Sequence, residues 1–541
     1  MCTTIIVTKG AMADGSMVVT HSCDDELGDQ RLIYIPEKNY EPGQLRPIFA
    51  EHYRYPRIVS EDRGPGYNTT SYPKTDPIGY IPQVTHTYAY FDGNYGIMNE
   101  HNLMIGECTN AANYQPTFVT ENESINTGKH IRLFYSQELS RIALERCKTS
   151  RNAIKLMGEL IDTYGLYSTG ETLLVSDENE AWVFEMCALP NEKYHSAWVA
   201  KRVPDGEVFV AANEFRIRDI LKDSDDFMYS KFLHPGIYKL GWWKESDGPI
   251  DWLKAVSPRE YNHPYYSLRR VWRIFDRVNT DLFLNPWVKD GYTRDYPFSI
   301  KPKHKLTLSD VFSLYRDHYE GTEFDLTKGV ASGPYNGNQN SITKDKKYYG
   351  AWERAISIFY QGYTYACQIR PYAPESTKGL LWFAPDVSYT SCFVPFSSKS
   401  TSIPLSYQTG SPQKYDSNCA FWIFNFVGNW ARLNYKQMTE HDIFDLQRKL
   451  EMMSFDFIKS CDERCQNTSH INTIEYITKA CENNANIVLK SWLKLAAMLI
   501  AKYANGYCNL EYQSSTKDIG YSATWLSYTN YKDGPTSYDM K

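Results

Sequence analysis

A cysteine stands directly after the initiator methionine, and this position offers a chemistry that an internal cysteine lacks. Removal of Met1 would leave Cys2 with a thiol and a free α-amine on one residue. Because an α-amine has a pKa of roughly 7.7–8.0, part of it is an unprotonated base near neutral pH. It can accept the thiol proton, so that the thiolate attacks an amide carbonyl and forms a thioester. The alternative is that Cys2 merely begins a buried strand, and retention of Met1 would remove the base.

The sequence lacks the motifs of several common enzyme classes. It contains no G-x-S-x-G, H-E-x-x-H, G-x-x-x-x-G-K-[ST] or G-x-G-x-x-G pattern, which argues against an α/β serine hydrolase, a zincin and a P-loop enzyme. Cys461 and Cys465 lie four residues apart without a matching second pair, so they do not predict a zinc site. The N-terminal chemistry itself implies neither a metal nor an organic cofactor.

Charge and hydropathy give no sign of a nucleic-acid or membrane partner. The 541 residues carry a net charge of −6 without a block of like charges. The best apolar run, residues 492–500, contains Lys494 and is far shorter than the roughly 20 residues of a membrane helix. The first residues show no secretory signal pattern. We therefore expect a soluble, cytoplasmic protein, or an exported one if Met1 stands in place of a removed leader.

Strand-like and helix-like segments alternate along the chain, and the segments that could position Cys2 come first. Residues 3–8 and 17–20 flank the turn Asp14-Gly15 and predict a hairpin. Helices are expected near 129–147 and from an N-cap at Ser150 to Gly165. The remaining predictions are strands at 95–98, 103–106, 172–175, 181–185 and 207–212, helices at 268–278 and 309–318, a strand-like region at 350–430 and a helical one at 431–511. The alternation favours two packed antiparallel sheets covered by helices.

Several stretches, in the same order, resemble one known family. They are Cys2-Thr3-Thr4-Ile5-Ile6-Val7, Thr20-His21-Ser22-Cys23-Asp24-Asp25, Tyr95-Gly96-Ile97-Met98-Asn99-Glu100, Ile105-Gly106-Glu107, Ala211-Ala212-Asn213-Glu214, Arg316-Asp317-His318-Tyr319-Glu320-Gly321-Thr322 and Gly379-Leu380-Leu381-Trp382. Together they are similar to the C69 family of dipeptidases, which are N-terminal-nucleophile cysteine hydrolases related to secernins. The likeness spans roughly residues 2 to 450.

The resemblance implies a fold and an activity. The fold is α+β, the αββα four-layer sandwich of Ntn hydrolases with a C-terminal helical extension. The expected division is residues 1–430 for the hydrolase domain and 431–541 for the helical region. The expected activity is dipeptide hydrolysis through a Cys2 thioester, with short peptides as partners, no cofactor and self-association as a possibility.

The resemblance also assigns roles to further residues. Asp24 matches an aspartate of related amidases and is expected to hold the α-amine or orient substrate. Asn213 matches an oxyanion-hole asparagine, the alternative being a strand-end turn residue. His21 stands where those relatives have an arginine, and it is interpreted as a cation, a pH-sensitive partner or a structural histidine. Thr109 replaces an asparagine of the relatives.

Arginines on a predicted helix are further candidates for substrate binding. Arg269 or Arg270 could bind a substrate carboxylate bidentately, and the alternative is an arginine on the helix surface. The run Arg316-Asp317-His318 is interpreted as structural, with Gly321 closing its helix.

Two other functions remain open from the sequence. One is an acyl-amide hydrolase of the penicillin or bile-salt amidase type, which would use the same nucleophile with a different pocket. The other is a non-catalytic, secernin-like regulatory protein, which retention of Met1 would favour.

Overall fold

The computed structural model describes residues 1–68, 71–260, 265–335, 337, 353–467, 472–509, 516–518 and 520–530. Its strands, numbered in chain order, are β1 Thr4–Val7, β2 Met17–Asp24, β3 Ile33–Ile35, β4 Lys38–Asn39, β5 Leu45–Ile48, β6 Gly79–Pro82, β7 His86–Thr87, β8 Tyr90–Asp92, β9 Gly96–Asn99, β10 Met104–Asn110, β11 Gly170–Ser176, β12 Ala181–Ala188, β13 Ser196–Val203, β14 Val208–Ala211, β15 Phe227–Tyr229, β16 Ser299–Ile300, β17 Gln361–Ile369, β18 Gly379–Pro385, β19 Val394–Ser397, β20 Tyr507–Asn509 and β21 Thr516–Asp518.

The α-helices follow the same order. They are α1 Glu121–Thr127, α2 Ser136–Arg146, α3 Ser150–Tyr164, α4 Leu233–Lys239, α5 Trp252–Val256, α6 Leu268–Val278, α7 Leu308–Leu314, α8 Leu405–Gln408, α9 Ala420–Ala431, α10 Tyr435–Met438, α11 Phe444–Asn467, α12 Thr473–Lys502 and α13 Ala523–Thr529. Within the described ranges, no helix combines the length and apolar character of a membrane span.

Two large antiparallel sheets form the centre of the molecule. One has the order β16-β14-β1-β2-β17-β18-β19, and the other has the order β15-β13-β12-β11-β10-β9-β8-β3. Strand β1 lies in the middle of the first sheet, paired with β2 on one side and with β14 on the other. The chain is therefore a mixed α+β protein, as predicted, with its amino terminus in a central strand.

The alternation of side chains along β1 explains its burial on both faces. Ile6 packs into the core between the two sheets, whereas Ile5 and Val7 pack on the opposite face against helices α6 and α7. Helices α2 and α3 cover the outer face of the second sheet in the same way. Since successive strand residues point to opposite faces, a strand covered on both sides is apolar throughout.

The two sheets approach each other closely beside β1. A Cβ atom on Gly106, in β10, would lie 2.7 Å from both the Thr20 carbonyl oxygen and Thr4 Oγ1. Only a residue without a side chain allows this approach. It brings the next residue of β10, Glu107, against the start of β1.

The C-terminal helices add to the inter-sheet core. Helix α12 packs on α9 and β19, and the rings of Phe424 and Trp492 lie 5.0 Å apart. Because α9 begins at Ala420, helical structure starts about ten residues before the predicted change from strands to helices. The aromatic residues and turn signals of this segment predict strands instead.

Three other local predictions need correction. The N-cap of α3 is Thr149, whose Oγ1 accepts from the Asn152 N–H, and not Ser150. Helix α7 ends at Leu314, before Asp317 and Gly321, so Gly321 does not close it; Asp317 instead pairs with two arginines of α6. Residues 36–82, which are rich in Pro, Gly and Tyr, predict a long ordered loop region, but they include β4, β5 and β6, of which β4 pairs with β7 and β5 pairs with β6.

Candidate active site

Cys2 lies at the wall of a cavity of about 690 Å³ between the ends of the two sheets. Its thiol donates to Glu107 Oε2 at 3.1 Å, and the residue is 2% exposed. The lining consists of Met1, Cys2, Cys23, Asp24, Asp25, Glu26, Glu51, Tyr53, Tyr95, Thr109, Ala111, Gln115, Tyr135, Ser168 and Thr169. The predicted nucleophile thus faces a space large enough for a short peptide.

The backbone of Cys2 is held on both sides by groups from distant segments. Its N–H donates to Asn213 Oδ1 at 3.2 Å, and its carbonyl oxygen accepts from Arg270 Nη1 at 2.8 Å. Asn213 directly follows Ala212 at the end of β14 and has a φ of 63°, a conformation that asparagine tolerates better than most residues. Its Nδ2 donates to the Thr109 carbonyl oxygen at 2.7 Å.

The side-chain amide of Asn213 therefore contacts Cys2 through its oxygen, whereas the predicted oxyanion role needs the amide nitrogen as a donor. In this arrangement the amide nitrogen is already bonded to Thr109. The oxyanion role stays a prediction. It requires Asn213 Nδ2 to release the Thr109 carbonyl oxygen and to donate to the oxyanion of the substrate instead.

Arg270 is buried in the centre of this group. Its five N–H hydrogens are donated to the Tyr266, Cys2 and Ala212 carbonyl oxygens, Thr3 Oγ1 and Asn213 Oδ1. The alternative of an arginine on the helix surface is wrong, because Arg270 is 0% exposed. Substrate binding by Arg270 stays a prediction, but all five donors are already engaged, two of them with the Cys2 carbonyl oxygen and Asn213 Oδ1.

Arg269 points in a different direction. Its guanidinium lies 3.5–4.5 Å from the ring centres of Phe324, Tyr265 and Trp287, and its Nη1 donates to the Pro286 carbonyl oxygen. It is also fully buried, so the helix-surface alternative fails here too. Arg269 does not line the Cys2 cavity, and the structure does not bring it together with the other predicted site residues.

Asp24 ends β2 and touches the terminus through its main chain. The Met1 ammonium donates to the Asp24 carbonyl oxygen at 3.1 Å, and the Asp24 N–H donates to the Met1 carbonyl oxygen at 3.0 Å. The Asp24 carboxylate forms a fully buried ion pair with Arg354. Arg354 lies 330 residues away in the sequence, and no local pattern marked it.

His21 and Thr109 both contact Glu107. His21 Nδ1 lies 2.8 Å from the Glu107 carbonyl oxygen, and Thr109 Oγ1 donates to Glu107 Oε1 at 2.8 Å. Burial lowers the pKa of His21, outweighing the nearby Glu107 carboxyl, and so favours the neutral ring. This is contrary to the interpretation of His21 as a cation.

Glu107 was not selected from the sequence, although it ends the matched stretch Ile105-Gly106-Glu107. The available signal was an acidic residue within a strand otherwise rich in apolar residues. Burial, and then Glu107 itself, raise the pKa of the Cys2 thiol well above its ordinary value, against the opposing effect of the Met1 ammonium. With Met1 in place, Cys2 is therefore held as a protonated thiol.

Among the described residues, Cys2, His21 and Glu107 form a group whose side chains could hold a metal ion. One ligand atom from each lies within 4.8 Å of the other two, and all three residues are buried. In this arrangement, the thiol and the Nδ1 atom are both hydrogen-bonded to Glu107.

Comparisons with known proteins agree on one relationship. The model of peptidase family C69 matches residues 1–448. A probable dipeptidase of Latilactobacillus sakei is 25% identical over 510 residues, covering 93% of this chain and 95% of the relative. A dipeptidase of Bifidobacterium longum is 24% identical over 498 residues, 86% of this chain and 83% of the relative. Dipeptidase A of Lactobacillus helveticus is 22% identical over 532 residues, with coverages of 94% and 98%.

Proposed function

The chain belongs to peptidase family C69, and from this we propose that it is a cysteine-type dipeptidase that acts through Cys2. The observation that carries the proposal is the placement of Cys2 at a cavity of peptide size, with its nitrogen, carbonyl oxygen and sulfur each held by a different side chain. The full-length relatives named as dipeptidases support the same activity.

The proposed reaction begins with the release of Met1. The freed α-amine of Cys2 accepts the thiol proton, and the sulfur attacks the scissile carbonyl carbon, so that an S–C bond forms and the carbonyl oxygen becomes an oxyanion. Collapse breaks the C–N bond, and the leaving amine takes the proton from the α-ammonium. Water then cleaves the thioester, releasing the amino-terminal residue as its acid and restoring the thiol.

Two residues position the Cys2 backbone in this proposal. Asn213 Oδ1 already accepts from the Cys2 nitrogen, so it would hold the α-amine once Met1 has been released. Arg270 fixes both the Asn213 side chain and the Cys2 carbonyl group. Such preorganisation counts because a nucleophile must be held close to a productive geometry for an efficient reaction.

Finer assignments belong to the same proposal. The two sheets and their covering helices would be the αββα sandwich of N-terminal-nucleophile hydrolases, with residues 1–430 as its domain and 431–541 as a helical region. The proposal also includes three expectations from the sequence: short peptides as partners, a cytoplasmic location and self-association.

The test begins with the amino terminus of the purified protein. Intact mass and N-terminal sequencing should show Cys2 as the first residue, and limiting iodoacetamide should alkylate Cys2 before the other cysteines. The processed protein should then hydrolyse members of a dipeptide panel. Cys2→Ser should lower kcat/KM by about 100-fold or more, since a hydroxyl is a much weaker nucleophile than a thiol.

Cys23→Ser is the matched control, because Cys23 lines the same cavity and is also buried. It should retain most of the activity. Retention of Met1 in fully active protein, or equal effects of the two substitutions, would refute the assignment of the nucleophile.

A further inference from the structure

Glu107 is a buried carboxyl group that lacks a strong cation beside it. It is 0% exposed, and its two oxygens accept from neutral donors, the Cys2 thiol and the Thr109 hydroxyl. Among the described residues, its ion-pair contact within 4.0 Å is His21, at 3.8 Å, whose pKa is lowered by burial. Since buried charges in proteins are normally paired, this carboxyl is missing a partner.

Other buried carboxylates of the molecule are paired with arginines. Asp24 pairs with Arg354, Asp92 with Arg141, and Glu138 with three arginines. Among the described residues, Glu107 differs from them in having no ion pair with an arginine. Its Oε2 accepts instead from the thiol of Cys2, a residue that lines the cavity.

A second carboxyl group lies behind Glu107. Glu171 is also 0% exposed, and its Oε1 accepts from the Tyr135 hydroxyl. Burial and the adjacent Glu107 raise the pKa of Glu171 well above its ordinary value, so that Glu171 stays protonated near neutral pH. Of this pair, Glu107 is the carboxyl group that contacts Cys2.

The short distance from Glu107 Oε2 to the Cys2 sulfur allows Glu107 to contact the α-nitrogen of an amino-terminal residue that is attacked by this sulfur. Standard backbone dimensions place the α-nitrogen about 2.5 Å from the carbonyl carbon of the same residue. A sulfur poised for attack lies about 3–3.5 Å from that carbon. The α-nitrogen of an attacked amino-terminal residue thus lies within about 6 Å of the sulfur, and Glu107 Oε2 is 3.1 Å from Cys2 Sγ.

The rest of the cavity has the same charge preference. Its lining includes Asp25, Glu26 and Glu51, and none of its described lining residues is lysine, arginine or histidine. The side chains of the lining therefore favour a positively charged group, and the positive charge in the lining is the terminal ammonium of Met1, which is released in the proposed reaction.

We propose that the Glu107 carboxylate binds the free α-ammonium group of the substrate and so restricts attack by Cys2 to the carbonyl of the amino-terminal residue. This inference rests on the proposed function, because it names the specificity group of that site. Thr109 positions the carboxylate through Oε1 and leaves Oε2 directed at the reacting centre.

The test compares two substrates that differ only in the amine. Processed protein should hydrolyse alanyl-phenylalanine much faster than propionyl-phenylalanine, which lacks the α-amine. Glu107→Gln, which keeps the size and hydrogen-bonding oxygen of the side chain, should lower kcat/KM for the dipeptide by about 30-fold or more, as expected for loss of one partner of a buried charge pair. Because Glu107 also contacts the Cys2 thiol, kcat/KM for the propionyl compound can change as well, but it should change much less, so that the ratio of the two kcat/KM values falls by about tenfold or more.

Glu51→Gln is the matched control, because it removes a carboxylate from the cavity wall and leaves the contact of Glu107 with the Cys2 sulfur in place. It should change the preference for a free amine much less. An equal loss on both substrates in Glu107→Gln, or a wild-type protein that does not discriminate between them, would overturn the proposal.

A binding measurement separates this inference from the proposed activity. The amino alcohol leucinol should protect Cys2 of the processed protein from iodoacetamide, and N-acetyl-leucinol should not. Glu107→Gln should abolish this difference. If dipeptides are not hydrolysed but the difference persists, the proposed activity fails and the ammonium site stands; if the two compounds protect equally or not at all, the ammonium site is wrong.

Discussion

Asn213 Oδ1 accepts a hydrogen bond from the backbone nitrogen of Cys2 at 3.2 Å, across 211 residues of sequence. In the proposed mature protein, that nitrogen is the catalytic base. The contact therefore places an uncharged acceptor on the group whose protonation decides whether the thiol can be activated.

Replacement of Asn213 should change the pH dependence of the reaction. An acceptor favours the protonated amine, so Asn213→Ala should lower the pKa of the α-amine and move the acid limb of the kcat/KM profile to lower pH. Asn213→Asp adds a negative charge and should move the limb to higher pH. A fall of about 10²–10³-fold in kcat without any shift of the limb would support the oxyanion role instead.

Neighbouring arginines should behave differently on replacement by lysine. Arg270→Lys cannot reproduce five directed donors, so the processed protein should show slower Cys2 alkylation and at least about tenfold lower kcat/KM. Arg269→Lys disrupts a ring cage remote from the cavity and should lower the Tm while leaving Cys2 alkylation unchanged. An increase in KM confined to Arg269→Lys, seen with dipeptides and not with dipeptide amides, would restore Arg269 as the carboxylate-binding residue.

The buried pair of Asp24 and Arg354 should be important for stability. Asp24→Asn leaves the Arg354 charge without its partner, and we expect a loss of about 3–5 kcal/mol in the free energy of unfolding. The double variant Asp24→Asn/Arg354→Met should recover part of this loss, because it leaves no unpaired charge. Exposed Glu26→Gln, measured beside them by urea unfolding, should be near wild type. A single variant as stable as the wild type would contradict the prediction.

Glu185 should make stability depend on pH. Burial raises its pKa from an ordinary 4.5 to about 8, although it accepts from the Arg216 and Ile217 N–H groups. The folded protein then holds a proton that the unfolded chain has released, so the stability contributed by this group is present below about pH 4.5 and is lost as the pH rises to about 8. Glu185→Gln imitates the protonated form.

The difference in Tm between Glu185→Gln and the wild type should therefore be small at pH 5 and should increase in favour of the variant up to pH 8. Exposed Glu159→Gln is the control and should show no such trend. A constant difference across this range would contradict the raised pKa of Glu185.

Local sequence patterns were sufficient for much of the architecture. The apolar run of β1, the 3.6-residue spacing of α3 and the span of α6 were predicted because each depends on residues close together in the chain. The ends of helices were predicted less well. Helix α7 ends at Leu314, before Asp317, whose carboxylate accepts from Arg273 and Arg277, about 40 residues away in sequence.

By itself, the sequence determined that a cysteine with special chemistry begins the first strand, and that strands and helices alternate behind it. Only the tertiary structure decided which groups surround that cysteine. Glu107 and Arg354 reach the site from strands and loops more than a hundred residues from their partners, and the close approach of the sheets at Gly106 sets the distance from Glu107 to Cys2. The physical reason is that backbone propensity acts over a few residues, whereas the contact of one sheet with another depends on the packing of the whole core.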